Sequence, residues 1–98
     1  MSEYTYDIVL QTEIGTRKGK LILNIERNIL NGILELLGYS VPCSGIVKSD
    51  GSSILRGQLK TFMSTYEYIG TGLIDSCRVD LVLKSGKKRF HMFGTTVK

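Results

Sequence analysis

The chain lacks most of the residues on which catalysis and metal binding depend. It has no tryptophan, one proline and two cysteines, and its only histidine is His91. A single histidine cannot build a histidine-based metal site, and Cys43 and Cys77 are too far apart for a metal-type or redox-type spacing. No serine or cysteine is marked as a partner of His91, and no two carboxylates stand out as an acid–base pair. The sequence therefore predicts no metal, no cofactor and no enzymatic activity.

Long apolar segments are also missing. No run approaches the roughly 20 apolar residues that a membrane-spanning helix needs, and residues 1–7 lack the basic segment and apolar stretch that begin a signal peptide. We therefore expect a cytoplasmic protein without membrane contact, in which both cysteines are reduced and buried. A disulfide between the two cysteines is the alternative. The 98 residues, 42% of them apolar and 22% charged, suit one globular domain spanning 1–98.

Alternation of apolar and polar residues dominates what is present. In the first segment Tyr4, Tyr6, Ile8 and Leu10 fall on one face, which is typical of a half-buried strand. Similar short segments follow, separated by turns that contain glycine, and no connection is long enough to hold a crossover helix. The sequence therefore predicts an all-β fold, an antiparallel up-and-down meander of about eight strands.

Residues 28–38 fit two different structures. Asn28 and Gly38 would cap a helix in which the leucines and isoleucines have helical spacing. A glycine in the middle of the segment opposes that helix by about 1 kcal/mol relative to alanine. The pattern Ile-Leu-x-Gly-x-Leu that begins at Ile29 also recurs from Ile54, in a segment that alternates cleanly. We therefore expect a strand here, with the helix as the alternative.

An open sheet of this kind would leave one apolar face wet and two edges unpaired. Closure into a barrel removes both problems. The interior of a barrel with about eight strands is either filled by side chains or just wide enough for one small ligand. We therefore expect a single closed or nearly closed barrel.

The glycines of the expected strands form a pattern similar to that of small calycin-type up-and-down barrels, a group that includes lipocalins, avidins and many uncharacterised bacterial proteins. The pattern consists of Leu30-x-Gly32, Gly45, Asp50-Gly51, Leu55-x-Gly57-x-Leu59, Gly70-x-Gly72 and Gly94. The resemblance covers the whole chain and implies a closed barrel with a luminal pocket. It carries over no ligand and no binding residue, because the Gly-x-Trp of lipocalins and the pocket tryptophans of avidins are absent.

Positive charge collects at one end of the expected meander. Alternate turns of a meander lie at the same end, and one such set of turns, with the adjoining strand ends, holds eight of the 13 basic residues. These are Arg17, Lys18, Lys20, Lys60, Lys84, Lys87, Lys88 and Arg89. The acids nearby are Glu13 and Glu35. Such a rim would attract an anionic ligand; the alternative is a solvated rim that only keeps the protein soluble.

The tyrosines supply candidate pocket walls. Two Tyr-x-Tyr pairs, at 4–6 and 66–68, are expected to point inward, and phenols offer flat apolar surface with a hydroxyl that can fix a polar group. The alternative is a core that these rings simply fill. We predict a small anionic or partly apolar ligand in the lumen. Its candidate binding residues are Tyr4, Tyr6, Tyr66, Tyr68, Arg17, Lys18, Lys87 and Arg89.

Aliphatic residues at outward positions suggest a different function. They are Ile22, Ile29, Ile33, Leu37, Ile46, Ile54 and Ile69. A cluster of this size is typical of a surface through which a protein associates, so a homodimer or another interaction protein is the alternative to a ligand-binding barrel. Nucleic acid is a weaker alternative, because few aromatic residues for base stacking accompany the basic ones.

Overall fold

The computed structural model describes residues 2–13, 15–60 and 64–97. Its strands are β1 (Ser2–Thr12), β2 (Gly15–Glu26), β3 (Ile29–Leu36), β4 (Tyr39–Val47), β5 (Ser52–Lys60), β6 (Thr65–Ile74), β7 (Arg78–Ser85) and β8 (Lys88–Thr96). Each strand is antiparallel to its neighbours in the chain, and β1 also pairs with β8, so the sheet closes into a barrel. This confirms the predicted all-β meander. The described residues contain no helix, and hence none that would cross a membrane.

Within residues 28–38, β3 extends from Ile29 to Leu36 between two tight turns, so the helical alternative is wrong. Arg27 and Asn28 precede β3 with φ angles of 50° and 67°, and Leu37 and Gly38 follow it with φ angles of 57° and 81°. Two successive residues with positive φ are what a two-residue type I′ hairpin turn requires, and its twist matches that of the flanking strands. The asparagine and the glycine that resembled helix caps are therefore turn residues.

The inward-facing side chains form one continuous apolar cluster with members from every strand. One end of the barrel holds the β2–β3, β4–β5 and β6–β7 connections, and we call it the far end. There the hydroxyl of the fully buried Tyr6 donates to the carbonyl oxygen of Asp75 at 2.6 Å. The ring of Tyr4 packs beside it, with 6.3 Å between the ring centres. The two rings therefore fill the barrel at the far end.

The other four connections, β1–β2, β3–β4, β5–β6 and β7–β8, lie at the opposite end. The basic residues in or beside these connections are Arg17, Lys18, Lys20, Lys60, Lys84, Lys87, Lys88 and Arg89. Antiparallel pairing in chain order therefore brings the basic residues to one rim. We call this rim the basic end.

The barrel wall loosens between β4 and β5 near the basic end. The ladder between these strands stops at the pair Cys43–Gly57, although β4 still pairs with β3 and β5 with β6 beyond that point. The facing segments 39–42 and 58–60 have no ladder partner across the wall in the part of the chain that the structure describes. We call this place the β4–β5 gap.

Candidate ligand-binding site

A cavity of about 530 Å³ opens at the basic end of the barrel. We call it the mouth cavity. Its inner wall is apolar and includes Leu10, Leu36, Leu59, Tyr66 and Phe90. Its rim carries the cations Arg17, Lys60, Lys88 and Arg89 and the acid Glu13. The volume falls within the range of small-molecule sites, and the rim is more positive than negative.

The mouth cavity lies where the barrel wall is open. Tyr39 and Leu59, from the two strands that border the β4–β5 gap, both line it. Paired strands are held about 4.8 Å apart, and this restraint ends beyond Cys43 and Gly57. The wall therefore lacks this restraint at the rim, whereas the side chains below remain buried against one another.

Tyr66 and Lys88 make a well-defined polar contact in the mouth cavity. Lys88 Nζ donates to the Tyr66 hydroxyl at 3.1 Å and lies 4.6 Å from the centre of the same ring. The hydrogen bond from Lys88 is the main cause that lowers the pKa of the Tyr66 phenol. The Phe90 ring packs against Tyr66, with 6.3 Å between the ring centres. A cation is thus held over an aromatic wall, where it can also donate to the oxygen of an anion.

The basic candidates divide into two groups. Arg17 and Arg89 line the mouth cavity, whereas Lys18 and Lys87 are exposed and lie outside its lining. Arg17 also donates from its guanidinium to the Thr16 carbonyl oxygen at 2.9 Å. Two of the four predicted basic side chains are therefore brought together by the fold.

Two cations of the mouth cavity, Lys60 and Lys88, were not among the predicted binding residues. Alternation could have identified Lys88, because it stands two positions before the inward-facing Phe90 on the same strand. Lys60 directly follows the buried Leu59, so alternation assigns it to the outside. It reaches the cavity because it stands at the end of β5 beside the open wall.

The four tyrosines all pack against the core, but they occupy different levels of the barrel. Tyr66 lines the mouth cavity, and Tyr4 and Tyr6 fill the far end. Burial raises the pKa of Tyr6 to about 12, and its phenol donates to the Asp75 carbonyl oxygen. Tyr68 is buried below the mouth cavity and does not line it.

The two cysteines are both free thiols, so the alternative disulfide does not form. Cys43 is buried, and burial raises the pKa of its thiol to about 12. Because the thiolate is the reactive form of cysteine, Cys43 has little nucleophilic character. Cys77 is exposed, so its expected burial is wrong, because it lies in the β6–β7 connection at the far end, away from the mouth cavity.

His91 and the acidic residues form no metal site in the structure. The His91 Nε2 atom lies 2.7 Å from Asp80 Oδ1, and neither residue lines the mouth cavity. Within residues 2–13, 15–60 and 64–97, no three histidine, cysteine, aspartate or glutamate side chains are grouped so as to hold a metal ion.

Comparisons with known proteins give no match. No family model matches the chain, and no curated protein or solved structure is significantly similar to it.

Proposed function

We propose that this barrel is a non-enzymatic binding protein for a small anion with an apolar part, and that the ligand occupies the mouth cavity. The observation that carries the proposal is an apolar inner wall beneath a rim with four cations and one acid. A positive rim raises the local concentration of anions and speeds their association. The apolar part then gains about 25 cal/mol for each Å² of surface that it removes from water.

The contacts support one orientation of such a ligand. Lys88 is held against Tyr66, and its ammonium has further donors for a ligand oxygen. Arg17 and Arg89 carry charge elsewhere on the same rim. The anionic group therefore lies at the rim, and the apolar part extends toward Leu10 and Phe90.

The architecture also supports a calycin-like assignment. A closed antiparallel meander of eight strands with a cavity at one end is an arrangement that can hold one small ligand. In this proposal the protein is a bacterial, cytoplasmic member of that structural group. The charged rim then determines which ligand binds, because this chain has none of the tryptophans that line avidin-type pockets.

Octanoate and octanol test this function, because they share an apolar chain and differ in charge. We expect octanoate to bind at least about tenfold more tightly than octanol, since a favourable contact to the rim of about 1.4 kcal/mol corresponds to that ratio. An NMR titration measures both affinities, and the largest amide shifts are expected near Leu10, Leu59 and Phe90. Equal affinities would contradict an anion site. Shifts confined to the outer face would contradict the mouth cavity.

Self-association is a second candidate function, and it rests on the outer face of the barrel. Ile29, Ile46 and Ile54 stand directly opposite one another across β3, β4 and β5. Ile29 is 51% exposed and Ile46 is 46% exposed. Adjacent aliphatic side chains of this kind are typical of a protein–protein contact. If the barrel dimerises through them, Ile46→Lys is expected to yield a monomer in sedimentation velocity; a wild-type monomer at high concentration would contradict this function.

A further inference from the structure

The β3–β4 turn places two apolar side chains in water at the basic end. The last ladder pair before this turn is Leu36–Tyr39, so Leu37 and Gly38 form a two-residue loop. Leu37 is 40% exposed and Tyr39 is 38% exposed. A Cβ added to Gly38 would meet no atom within 4 Å, so the loop stands in open space. We call Leu37 and Tyr39 the apolar tip.

Leucine is an unusual residue for this turn. The φ angle of Leu37 is 57°, and the first position of a type I′ turn favours asparagine, aspartate or glycine. The equivalent position of the β2–β3 turn has a φ angle of 50° and holds the polar Arg27. Neither the backbone conformation nor the exposure to water favours a leucine at position 37. A side chain kept under such conditions points to a contact outside the turn.

The apolar tip is surrounded by positive charge. The cations that line the mouth cavity together with it are Arg17, Lys60, Lys88 and Arg89. All eight cations of the basic end are exposed, and the ion pair found in the described ranges, between His91 and Asp80, includes none of them. Glu35 stands opposite Lys20 in the β2–β3 ladder. The acid that remains for the other cations of this end is Glu13.

Charge is distributed unequally along the barrel axis. The far end has three cations and three acids in or beside its connections. They are Glu26, Arg27, Lys48, Asp50, Asp75 and Arg78. The basic end, in contrast, has eight cations and two acids. A negatively charged plane would therefore attract the barrel with the basic end and its apolar tip first.

We propose that the basic end docks on the surface of an anionic phospholipid bilayer, with the apolar tip among the lipid headgroups. Each Lys or Arg near such a surface strengthens binding about fivefold, and Leu37 gains by leaving water. Tyrosine suits the boundary between water and lipid, because its ring is apolar and its hydroxyl polar. A nucleic acid would be attracted by the same cations, but it has no apolar phase for a leucine to enter.

Docking by one end differs from the expectation of no membrane contact. That expectation rested on the lack of a spanning helix and of a signal peptide, and a barrel that touches lipid with its rim needs neither. Docking also goes beyond the proposed ligand function, because it uses the surface around the mouth cavity and requires no ligand inside it.

Vesicle sedimentation tests the docking and its direction. The protein is expected to sediment with vesicles that contain phosphatidylglycerol and not with vesicles of phosphatidylcholine alone. Lys18→Gln with Lys87→Gln removes two cations of the basic end outside the mouth cavity, and binding is expected to weaken about 20-fold. Arg27→Asn with Lys48→Gln removes the same charge from the far end, and binding is expected to change by no more than about twofold, because distant charges are screened. Equal losses in the two variants would overturn the proposal.

Leu37→Asn tests the apolar tip. Asparagine suits positive φ in this turn, so the melting temperature is expected to stay the same or rise. Binding to the phosphatidylglycerol vesicles is expected to weaken about tenfold, because the leucine no longer leaves water. Binding that this variant leaves unchanged would overturn the bilayer as the partner. A single-stranded RNA that binds the basic end more tightly than the vesicles do would overturn it as well.

An introduced tryptophan shows which end meets the lipid, because the chain has none of its own. The emission of Leu37→Trp is expected to shift to the blue when phosphatidylglycerol vesicles are added. Arg27→Trp places the same ring at the equivalent turn position of the far end, and its emission is expected to stay unchanged. A folded Leu37→Trp variant whose emission does not shift would overturn the docking.

An octanoate titration separates docking from ligand binding in the mouth cavity. Lys18→Gln with Lys87→Gln is expected to bind octanoate within about threefold of the wild type, because exposed charges outside a site contribute little, although its vesicle binding is weakened much more. If octanoate binding fell as far as vesicle binding, single lipids would be entering the mouth cavity, and that result would overturn docking on the bilayer surface. A wild type that binds vesicles but not octanoate would contradict the proposed ligand function and leave docking supported.

Discussion

Replacing Gly94 with alanine is expected to remove at least about 4 kcal/mol from the free energy of unfolding, a large part of the total for a domain of this size. Gly94 lies in β8, at a point where this strand is so close to β1 that a Cβ on Gly94 would overlap the carbonyl oxygen of Asp7. The carbonyl belongs to backbone in the ladder that closes the barrel. It cannot move away unless β8 separates from β1, and that separation opens the barrel.

Gly70→Ala is the matched control for this prediction. Gly70 is also an interior glycine of a strand, but a Cβ there would first meet the terminal methyl group of Leu83. A leucine side chain can turn away, so the expected loss is only about 1–2 kcal/mol. Urea denaturation followed by circular dichroism measures both variants. Similar losses for the two would show that contact with the β1 backbone is not what makes Gly94 necessary.

Reversing the charge of Lys88 is expected to weaken octanoate binding about 100-fold, which corresponds to about 2.8 kcal/mol. Lys88→Glu removes a charge-assisted hydrogen bond worth about 1.5–3 kcal/mol and places a carboxylate next to the incoming anion. It also removes the donor to the Tyr66 hydroxyl. Because Lys88 is exposed, the fold is expected to survive, and its far-ultraviolet circular dichroism should match that of the wild type.

Lys18→Glu provides the control for net charge. It makes the same change in charge at an exposed residue outside the mouth cavity, so octanoate binding is expected to weaken by no more than about threefold. High salt should remove most of that smaller effect, because ions screen exposed charges beyond about 8 Å at physiological ionic strength. Equal losses in the two variants would mean that the charge of the whole protein, and not the mouth cavity, controls binding.

The sequence predicts the fold well because period-two alternation and tight turns act locally. β3 shows this most clearly, since its likeness to the segment from Ile54 favours a strand over a helix. Asparagine and glycine are common at the ends of helices, and both also adopt positive φ in hairpin turns. Asn28 and Gly38 therefore fit a helix with caps and a strand between turns equally well. Inward and outward faces follow from the same alternation.

The position of a residue along the barrel axis is harder to predict. Tyr6 and Tyr66 both point inward, yet one is bonded at the far end and the other lines the mouth cavity. Alternation gives the face of a strand, whereas the level in the barrel depends on registers between strands that no single segment encodes. The β4–β5 gap has the same origin. Pro42 of β4 has no N–H to donate, and only the pairing of β4 with β3 decides that this position faces β5.

The closure of the barrel has a consequence for how the chain folds. Seven of the eight ladders join strands that follow one another in the chain, and the remaining ladder joins β1 to β8. A hairpin closes a short loop and loses little chain entropy, whereas joining the first strand to the last closes a loop of nearly the whole chain. The entropic barrier to folding is therefore concentrated in one ladder, the same one in which Gly94 passes close to Asp7. The seven hairpins can form in succession, and the closing of the tube is the demanding step.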